Sequence, residues 1–301
     1  MILAITGGTG FVGRRLIGLA LEHGHHVRAL TRRPQQRRDS VEWIEGDLGS
    51  REAIEQLVTG ADAAIHVAGV INARDRAGFE EGNVKGTLAM LAAATAAGTQ
   101  RFVHVSSLAA REPELSQYGA SKARSEELVK GSGLDWVIVR PPAVYGPGDK
   151  ETLELFKMAR GGQVYMPPKG RLSLIHVDDL ARLLLAAAEP QAPQKIMIEP
   201  DDGRREGWSH LEFGDALASA VGVPARTIST PRLLLSVASR IDRLIRRDKA
   251  KLTPDRVAYF CHPDWVVSPD RSAPPDLWQP QISTEQGLLQ TAEWYRNEGW
   301  L

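Results

Sequence analysis

Residues 5–17 read ITGGTGFVGRRLI, with an apolar run before them and an amphipathic run after. Gly7, Gly10 and Gly13 therefore stand at the turn between a first strand and a first helix, at the spacing of a loop that wraps a phosphate. One glycine permits the tight turn, a second removes the side chain where backbone meets pyrophosphate, and the third lets the helix pack on the strand. The amides at the helix start, from Gly10 through Phe11 and Val12 to Gly13, then point at the anion.

The rest of the first half repeats that unit. The β-rich runs ILAIT, HVRALTR, VEWIEGDL, AAIHVAG, RFVHVSS and DWVIVRP alternate with amphipathic or alanine-rich stretches. Such alternation means βαβ crossovers, so the fold class is α/β, a Rossmann-type doubly wound parallel sheet. After about residue 146 the rhythm loosens and proline and tryptophan become commoner. The expected organisation is a nucleotide-binding core over 1–146, with 172–200 returning to it, and 147–301 forming mainly a small C-terminal substrate lobe. In this second half WSHLEFGDALASAVG, PRLLLSVASRIDRLIRR and ISTEQGLLQTAEWYRNEGW read as helices, and KIMIEP and RTIST as short strands.

The end of the second strand separates the two nicotinamide coenzymes. NAD sites carry an acid there to bind both ribose hydroxyls, whereas this chain reads ALTRRP. Arg32 and Arg33 cannot accept a hydrogen bond but can grip a 2′-phosphate, so NADP(H) is favoured over NAD(H). The same run also reads as a solvated basic loop. Asp47 and Leu48, at the end of the third strand, are placed to meet the adenine.

The charges balance, 37 Lys plus Arg against 37 Asp plus Glu, so no global field draws the chain to nucleic acid and a small-molecule substrate is expected. Cys261 is the single cysteine. That excludes an intrachain disulfide framework and fits a reducing compartment. With no signal-peptide pattern at Met1 and no apolar run of membrane-spanning length, the sequence points to a cytoplasmic protein.

TGGTGFVG, HVAG, NVKGT, HVSS, YGASK, RPPAVYGPGD and LIHVDDLA occur in one order. Together they resemble the extended short-chain dehydrogenase/reductases, the NAD(P)-dependent epimerase/dehydratase group, over nearly the whole chain. The resemblance implies that Ser107, Tyr118 and Lys122 are the catalytic triad and that Asn83 supports the lysine through water. It implies that Ala68 and Gly69 wall the cofactor and that Pro141 lies against the nicotinamide. It allows a homodimer through helices near 79–97 and 116–130, and a hydrophobic or nucleotide-sugar substrate.

The chemistry of this set also follows from the residues themselves. Tyr118 and Lys122 are four apart on an expected helix and project from one face. A phenol with a reference pKa near ~10 becomes usable when a lysine ammonium and a nicotinamide cation stabilise its phenolate. Tyr118 can then exchange a proton with an alcohol or carbonyl oxygen while hydride moves to or from the nicotinamide. The reaction class is oxidation of a secondary alcohol or reduction of a carbonyl, alone or as a half-reaction of epimerisation.

One departure keeps a second reading open. Ser107 precedes Tyr118 by only eleven positions, which shortens the loop that roofs the substrate in typical members. The shortening resembles a branch related to the NADPH-binding accessory subunit of respiratory complex I, which implies a non-catalytic scaffold or assembly protein as the alternative. The short connection is expected to run from a strand ending at Ser107, through a turn with Pro113 as a helix-start signal, into the tyrosine helix. Ser106 stands as a substitute for Ser107.

His23, His25 and His26 flank Gly24 at an expected helix end and read as a C-cap turn rather than a metal site. His176, Asp178 and Asp179 read as structure, with one of the acids capping a helix. In the 231–247 segment Leu234, Val237, Ala238, Ile241 and Ile245 form one helical face and Arg240, Arg243, Arg246 and Arg247 lie largely elsewhere. Most such helices close a domain; the other reading is a face turned to lipid or a partner.

Overall fold

The computed structural model describes residues 1–246 and 253–301, and the chain divides into two compact units. The first comprises Met1–Pro141, Asp178–Pro200 and Arg271–Gln279. Its strands are β1 (Ile2–Thr6), β2 (His26–Thr31), β3 (Val41–Glu45), β4 (Ala63–His66), β5 (Arg101–Val105), β6 (Asp135–Val139) and β7 (Ile196–Ile198). They form one sheet in the order β7-β6-β5-β4-β1-β2-β3, and every pairing is parallel. Strands β1, β4 and β5 are buried along almost their whole length, which is why they read as continuous apolar runs rather than alternating ones.

The helices that matter for the site are α1 (Phe11–Glu22), α2 (Arg51–Val58), α3 (Gly86–Ala97), α4 (Gln117–Lys130) and α5 (Val177–Ala188). Leu16, Ile17, Leu19 and Ala20 put one face of α1 into the core, and the helix stops at His23 with Gly24 left-handed at φ +75°. Around Phe102 a core of Ile54, Leu57, Met90, Leu91, Val129 and Ile138 fills one side of the sheet. Phe102 is fully buried, and Phe102→Ala at such a position costs about 3–5 kcal/mol.

The strand order reverses at β1, which has β2 on one side and β4 on the other. Ligands of open α/β sheets bind outside the carboxyl ends of the strands at such a switch point. Thr6 ends β1 and His66 ends β4, paired in register, so the positions around them are where a ligand is expected.

The second unit comprises Pro142–Val177, Asp201–Asp270 and Pro280–Leu301. Residues 142–146 and 172–177, expected with the core, lie here instead. The reason is local pairing: Ala143–Tyr145 and Leu174–His176 form their own two-stranded parallel sheet. The segment 271–279, expected in the lobe, belongs with the first unit, where Trp278 Nε1 donates to the Asp179 carbonyl at 3.0 Å and stacks near Arg182. The three helices expected in the lobe lie at His210–Val221, Arg232–Arg246 and Thr284–Asn297, beside further ones at Leu153–Arg160 and Pro254–Phe260, and RTIST supplies a strand at Arg226–Ser229. Tyr145, Phe156, Leu217, Leu288 and Tyr295 form the lobe's core. A capping box between Ser209 and Glu212 starts the first of those helices. Of the arginines read in the 231–247 segment, Arg247 and the side chains of Arg243 and Arg246 lie outside the described residues.

Candidate active site

The glycine turn is built for close approach. Gly7 has φ +71°, and a Cβ on it would lie 2.8 Å from the Ala68 amide nitrogen. A Cβ on Gly13 would lie 2.1 Å from the Gly7 carbonyl oxygen, so only glycine lets α1 start this near β1. Helix α4 is capped by Ser116 and the lobe helices at 210 and 284 by Ser209 and Ser283, but α1 has Gly10 at its cap and no side-chain cap bond. Its first-turn amides, at Phe11, Val12 and Gly13, are left for an anion. The loop thus fits a dinucleotide diphosphate.

Beyond the loop a cavity of about 570 Å³ is lined by Thr9, Arg14, Thr31, Arg32, Arg33 and Gln35. Arg32 and Arg33 are exposed on the turn after β2, which Thr31 shapes by donating from Oγ1 to the Arg33 carbonyl at 2.7 Å. Arg14, on α1, brings a third guanidinium to this cavity, held by a 2.8 Å bond from Nε to the Thr9 carbonyl. Sequence reasoning missed Arg14; its position directly after the last glycine of the loop was the available signal. Asp47 is exposed, and its Oδ1 accepts from Gly49 N and Ser50 Oγ. Leu48 packs against α3, where a Cβ on Gly86 would meet its Cδ1 at 2.6 Å.

At the ends of β4 and β5 the remaining candidates converge. Ser107 caps a short 3-10 turn at Leu108–Arg111, its Oγ accepting from Ala109 N at 3.2 Å. A second 3-10 turn at Pro113–Leu115 follows, and α4 begins at Gln117 behind the Ser116 cap. Pro113 therefore opens this turn and not the tyrosine helix, because Ser116 takes the cap. Gly119 lets α4 settle on the first turn, since a Cβ there would lie 2.5 Å from the Ala109 carbonyl oxygen.

The result brings the Ser107 hydroxyl into a hydrogen bond with Tyr118. Burial pushes the Tyr118 phenol above its ordinary pKa, and the bond to Ser107 works against that. In the free protein the phenol is a proton carrier, not a phenolate. One helical turn on, Lys122 is buried and donates from Nζ to the Val105 carbonyl at 2.8 Å. Burial pushes its ammonium down to about 8, against the pull of Glu126. A Cβ on Gly69 would lie 3.1 Å from Lys122 Nζ, so that glycine leaves the ammonium its space.

Asn83 sits in a π-helical turn, Glu80–Lys85, which widens the helix leading into α3. Its Oδ1 accepts from Val70 N at 2.7 Å, and its Nδ2 donates to Val70 O and to Ser121 Oγ. It clamps the loop after β4 to α4. Ala68 is tied to β1 by donating its amide to Thr6 Oγ1 at 3.1 Å. Pro141 is buried after β6, and its carbonyl accepts from Leu108 N at 2.9 Å.

Neighbouring Ser106 points elsewhere: its Oγ donates to Glu126 Oε1 at 2.5 Å. Glu126 also takes two bonds from Arg140, at 2.8 and 2.6 Å, and Arg140 reaches Glu199 at 3.2 Å. Strand alternation separates the two serines, one to a buried ion network and one to the tyrosine. Two histidines complete the floor. His66 Nδ1 pairs with Thr6 Oγ1 at 2.7 Å, and His104 Nε2 with Ser125 Oγ at 3.0 Å. Burial, reinforced by the Lys122 charge, pushes His66 down to about 3 and His104 well below its ordinary value. Elsewhere, the His176 ring packs edge-on against Tyr145, while Asp178 pairs with Arg15 at 2.5 Å and Asp179 with Arg182. Both acids lie inside the first turn of α5.

Residues 3–198 match the NAD dependent epimerase/dehydratase family. The chain belongs to that family. It is 39% identical to the ceramide reductase of Caulobacter vibrioides, over 100% of this chain and 96% of the relative. It is 29% identical to the 2-alkyl-3-oxoalkanoate reductase of Stenotrophomonas maltophilia, over 96% of this chain and 97% of the relative. Among solved structures, MoeE5 in complex with UDP-glucose and NAD superposes with a TM-score of 0.76 over 99% of both chains at 22% identity, a likeness of fold. The protein is an NAD(P)-dependent oxidoreductase of the extended short-chain dehydrogenase/reductase type. The assembly-protein alternative finds no support in these relatives.

Proposed function

We propose that this oxidoreductase uses NADP(H) to reduce a ketone carried on a long-chain lipid, with Tyr118 as proton donor. The observation that carries the reading is the hydrogen bond between Ser107 and Tyr118 one helical turn from buried Lys122. A nicotinamide coenzyme held at the glycine turn would supply hydride for the carbonyl carbon. Tyr118 gives its proton to the carbonyl oxygen, and in the reverse direction takes one from the alcohol. Ser107 turns its hydroxyl to the same oxygen. Lys122 keeps positive charge beside the phenol and would hold the nicotinamide ribose, while Ala68, Gly69 and Pro141 would wall the ring. Asn83 keeps the loop carrying Gly69 fixed against α4.

The coenzyme preference rests on Arg14, Arg32 and Arg33 around one cavity. Guanidinium groups offer donors only, which suits a 2′-phosphate and cannot satisfy ribose hydroxyls that need an acceptor. Asp47 and Leu48 would border the adenine. The substrate class rests on the ceramide and alkyl-oxoalkanoate named for the two relatives, both matched over nearly full length. A single cysteine fits work in a reducing cytoplasm.

The test is NADPH oxidation by the purified chain with a long-chain 3-oxoacyl lipid. Turnover is expected, and Tyr118→Phe lowers kcat by ~10²–10⁴-fold while NADPH binding persists. Unchanged turnover in that variant overturns the assignment of Tyr118, and turnover with sugar nucleotides instead overturns the substrate class.

A further inference from the structure

The helix at Arg232–Arg246 carries its apolar side outward. Leu233, Leu234, Val237, Ile241, Leu244 and Ile245 are between 44% and 80% exposed, six of the thirteen exposed large hydrophobic side chains among the described residues. At 3.6 residues per turn these six fall within an arc of about 120°. The opposite side holds Ser239, which is buried, with Leu235, Ser236 and Asp242 half-buried, and Ser239 Oγ donates to the Ser236 carbonyl at 2.8 Å. The helix thus turns one leucine, two serines and an aspartate inward and offers most of its large apolar side chains to the surroundings. Packing of a domain demands the reverse.

Charge selects the occupant. The chain as a whole is neutral, but residues 231–251 read PRLLLSVASRIDRLIRRDKAK, with seven Lys and Arg against two Asp. The helix itself holds four arginines and one aspartate, and an exposed apolar stripe on a cationic helix is the signature of a segment that lies in the plane of a membrane interface, its apolar side among acyl chains and its cations at anionic headgroups. A second copy of the chain is the poorer fit. A two-fold contact through this stripe would set two clusters of like charge against each other. No helix among the described residues is long and apolar enough to cross a membrane.

We infer that the helix at 232–246 docks this protein peripherally on an anionic lipid surface, with Leu233, Leu234, Val237, Ile241, Leu244 and Ile245 entering the headgroup boundary. The inference is independent of the active-site reading, because it draws on the exposure and charge of this segment alone.

Vesicle co-sedimentation of the full chain tests it, with phosphatidylcholine vesicles with and without phosphatidylglycerol. The chain is expected to pellet with the phosphatidylglycerol vesicles, weakly or not at all with phosphatidylcholine alone, and less as salt is raised. Leu244→Glu with Ile245→Glu lowers the binding at least ~10-fold, while NADPH affinity and melting temperature stay as in the parent. If that pair fails to fold, Leu233→Glu with Leu234→Glu repeats the test at the other end of the helix. Absence of pelleting with either vesicle, or equal pelleting of a folded variant, overturns the inference. So does sedimentation velocity that shows a dimer which the variants dissociate, with no lipid binding.

Discussion

Lys122 Nζ donates to the Val105 carbonyl at 2.8 Å, tying the middle of the tyrosine helix to the end of the strand that leads into Ser107. The bond uses one of three ammonium protons and holds the cation under the Gly69 backbone. Because kcat/KM reports the ionisation of free enzyme, its pH profile for carbonyl reduction should fall on the alkaline side with a midpoint near the value of about 8 to which burial pushes Lys122. Stability moves the other way. The folded pKa lies below the ordinary 10.5, so the unfolded chain binds more protons between about 8 and 10.5, and this group adds stability as pH rises through that window. Lys122→Met should remove the alkaline limb from whatever activity remains and the corresponding rise in thermal stability. A limb that survives in that variant assigns it to another group.

Arg32 and Arg33 line the same cavity as Arg14, and the three together set the expected coenzyme preference. Arg32→Ser with Arg33→Ser should raise the Kd for NADPH by ~10²-fold, taking charge-assisted bonds at about 1.5 kcal/mol each, and change the Kd for NADH little. Calorimetry with both coenzymes checks this. Equal loss for NADH and NADPH would mean that these arginines meet a part common to both.

The sheet was legible because its inner strands β1, β4 and β5 are buried on both faces and leave apolar runs, and because the glycine turn fixes where the first strand ends. That Tyr118 and Lys122 share one helix was legible from their spacing, while the role given to them came from the family resemblance. What stayed hidden depends on contacts between residues far apart in the chain. Arg140 meets Glu126 across 14 positions and Glu199 across 59, and no local pattern marks such a network. The core boundary was misplaced at 142–146 and 172–177 because two short strands pair with each other, and a single strand does not announce its partner. Asn83 was expected to support the lysine through water; its direct partners are Val70 and Ser121, reached from a π-helical turn, a distortion without a sequence signature.

Ser106 and Ser107 differ only in the face they occupy, and their variants should differ accordingly. Ser107→Ala removes the partner of Tyr118 and should lower kcat by ~10²-fold or more, with the melting temperature little changed. Ser106→Ala leaves Glu126 short of one donor in a buried network and should cost about 1–3 kcal/mol of stability, with kcat within a few-fold of the parent. Steady-state kinetics beside denaturant unfolding separates the two. A catalytic defect in the Ser106 variant equal to that of the Ser107 variant would sink the assignment.

His66 is fully buried between Thr6 and Thr87, and burial with the Lys122 charge holds its pKa at about 3. The imidazole is neutral in the folded chain at every pH where the enzyme works. In the unfolded chain it titrates near 6.5. Between those values the unfolded state binds the extra proton, so the stability tied to a neutral His66 is complete above about 6.5 and is lost as pH falls toward 3. The expected outcome is a melting temperature that declines steadily below pH 6.5. In His66→Asn, which keeps a group able to bond both threonines, that decline should be shallower by the share of one histidine, with His104 supplying the rest. An acid limb of unchanged steepness in this variant would place the loss on carboxylates instead.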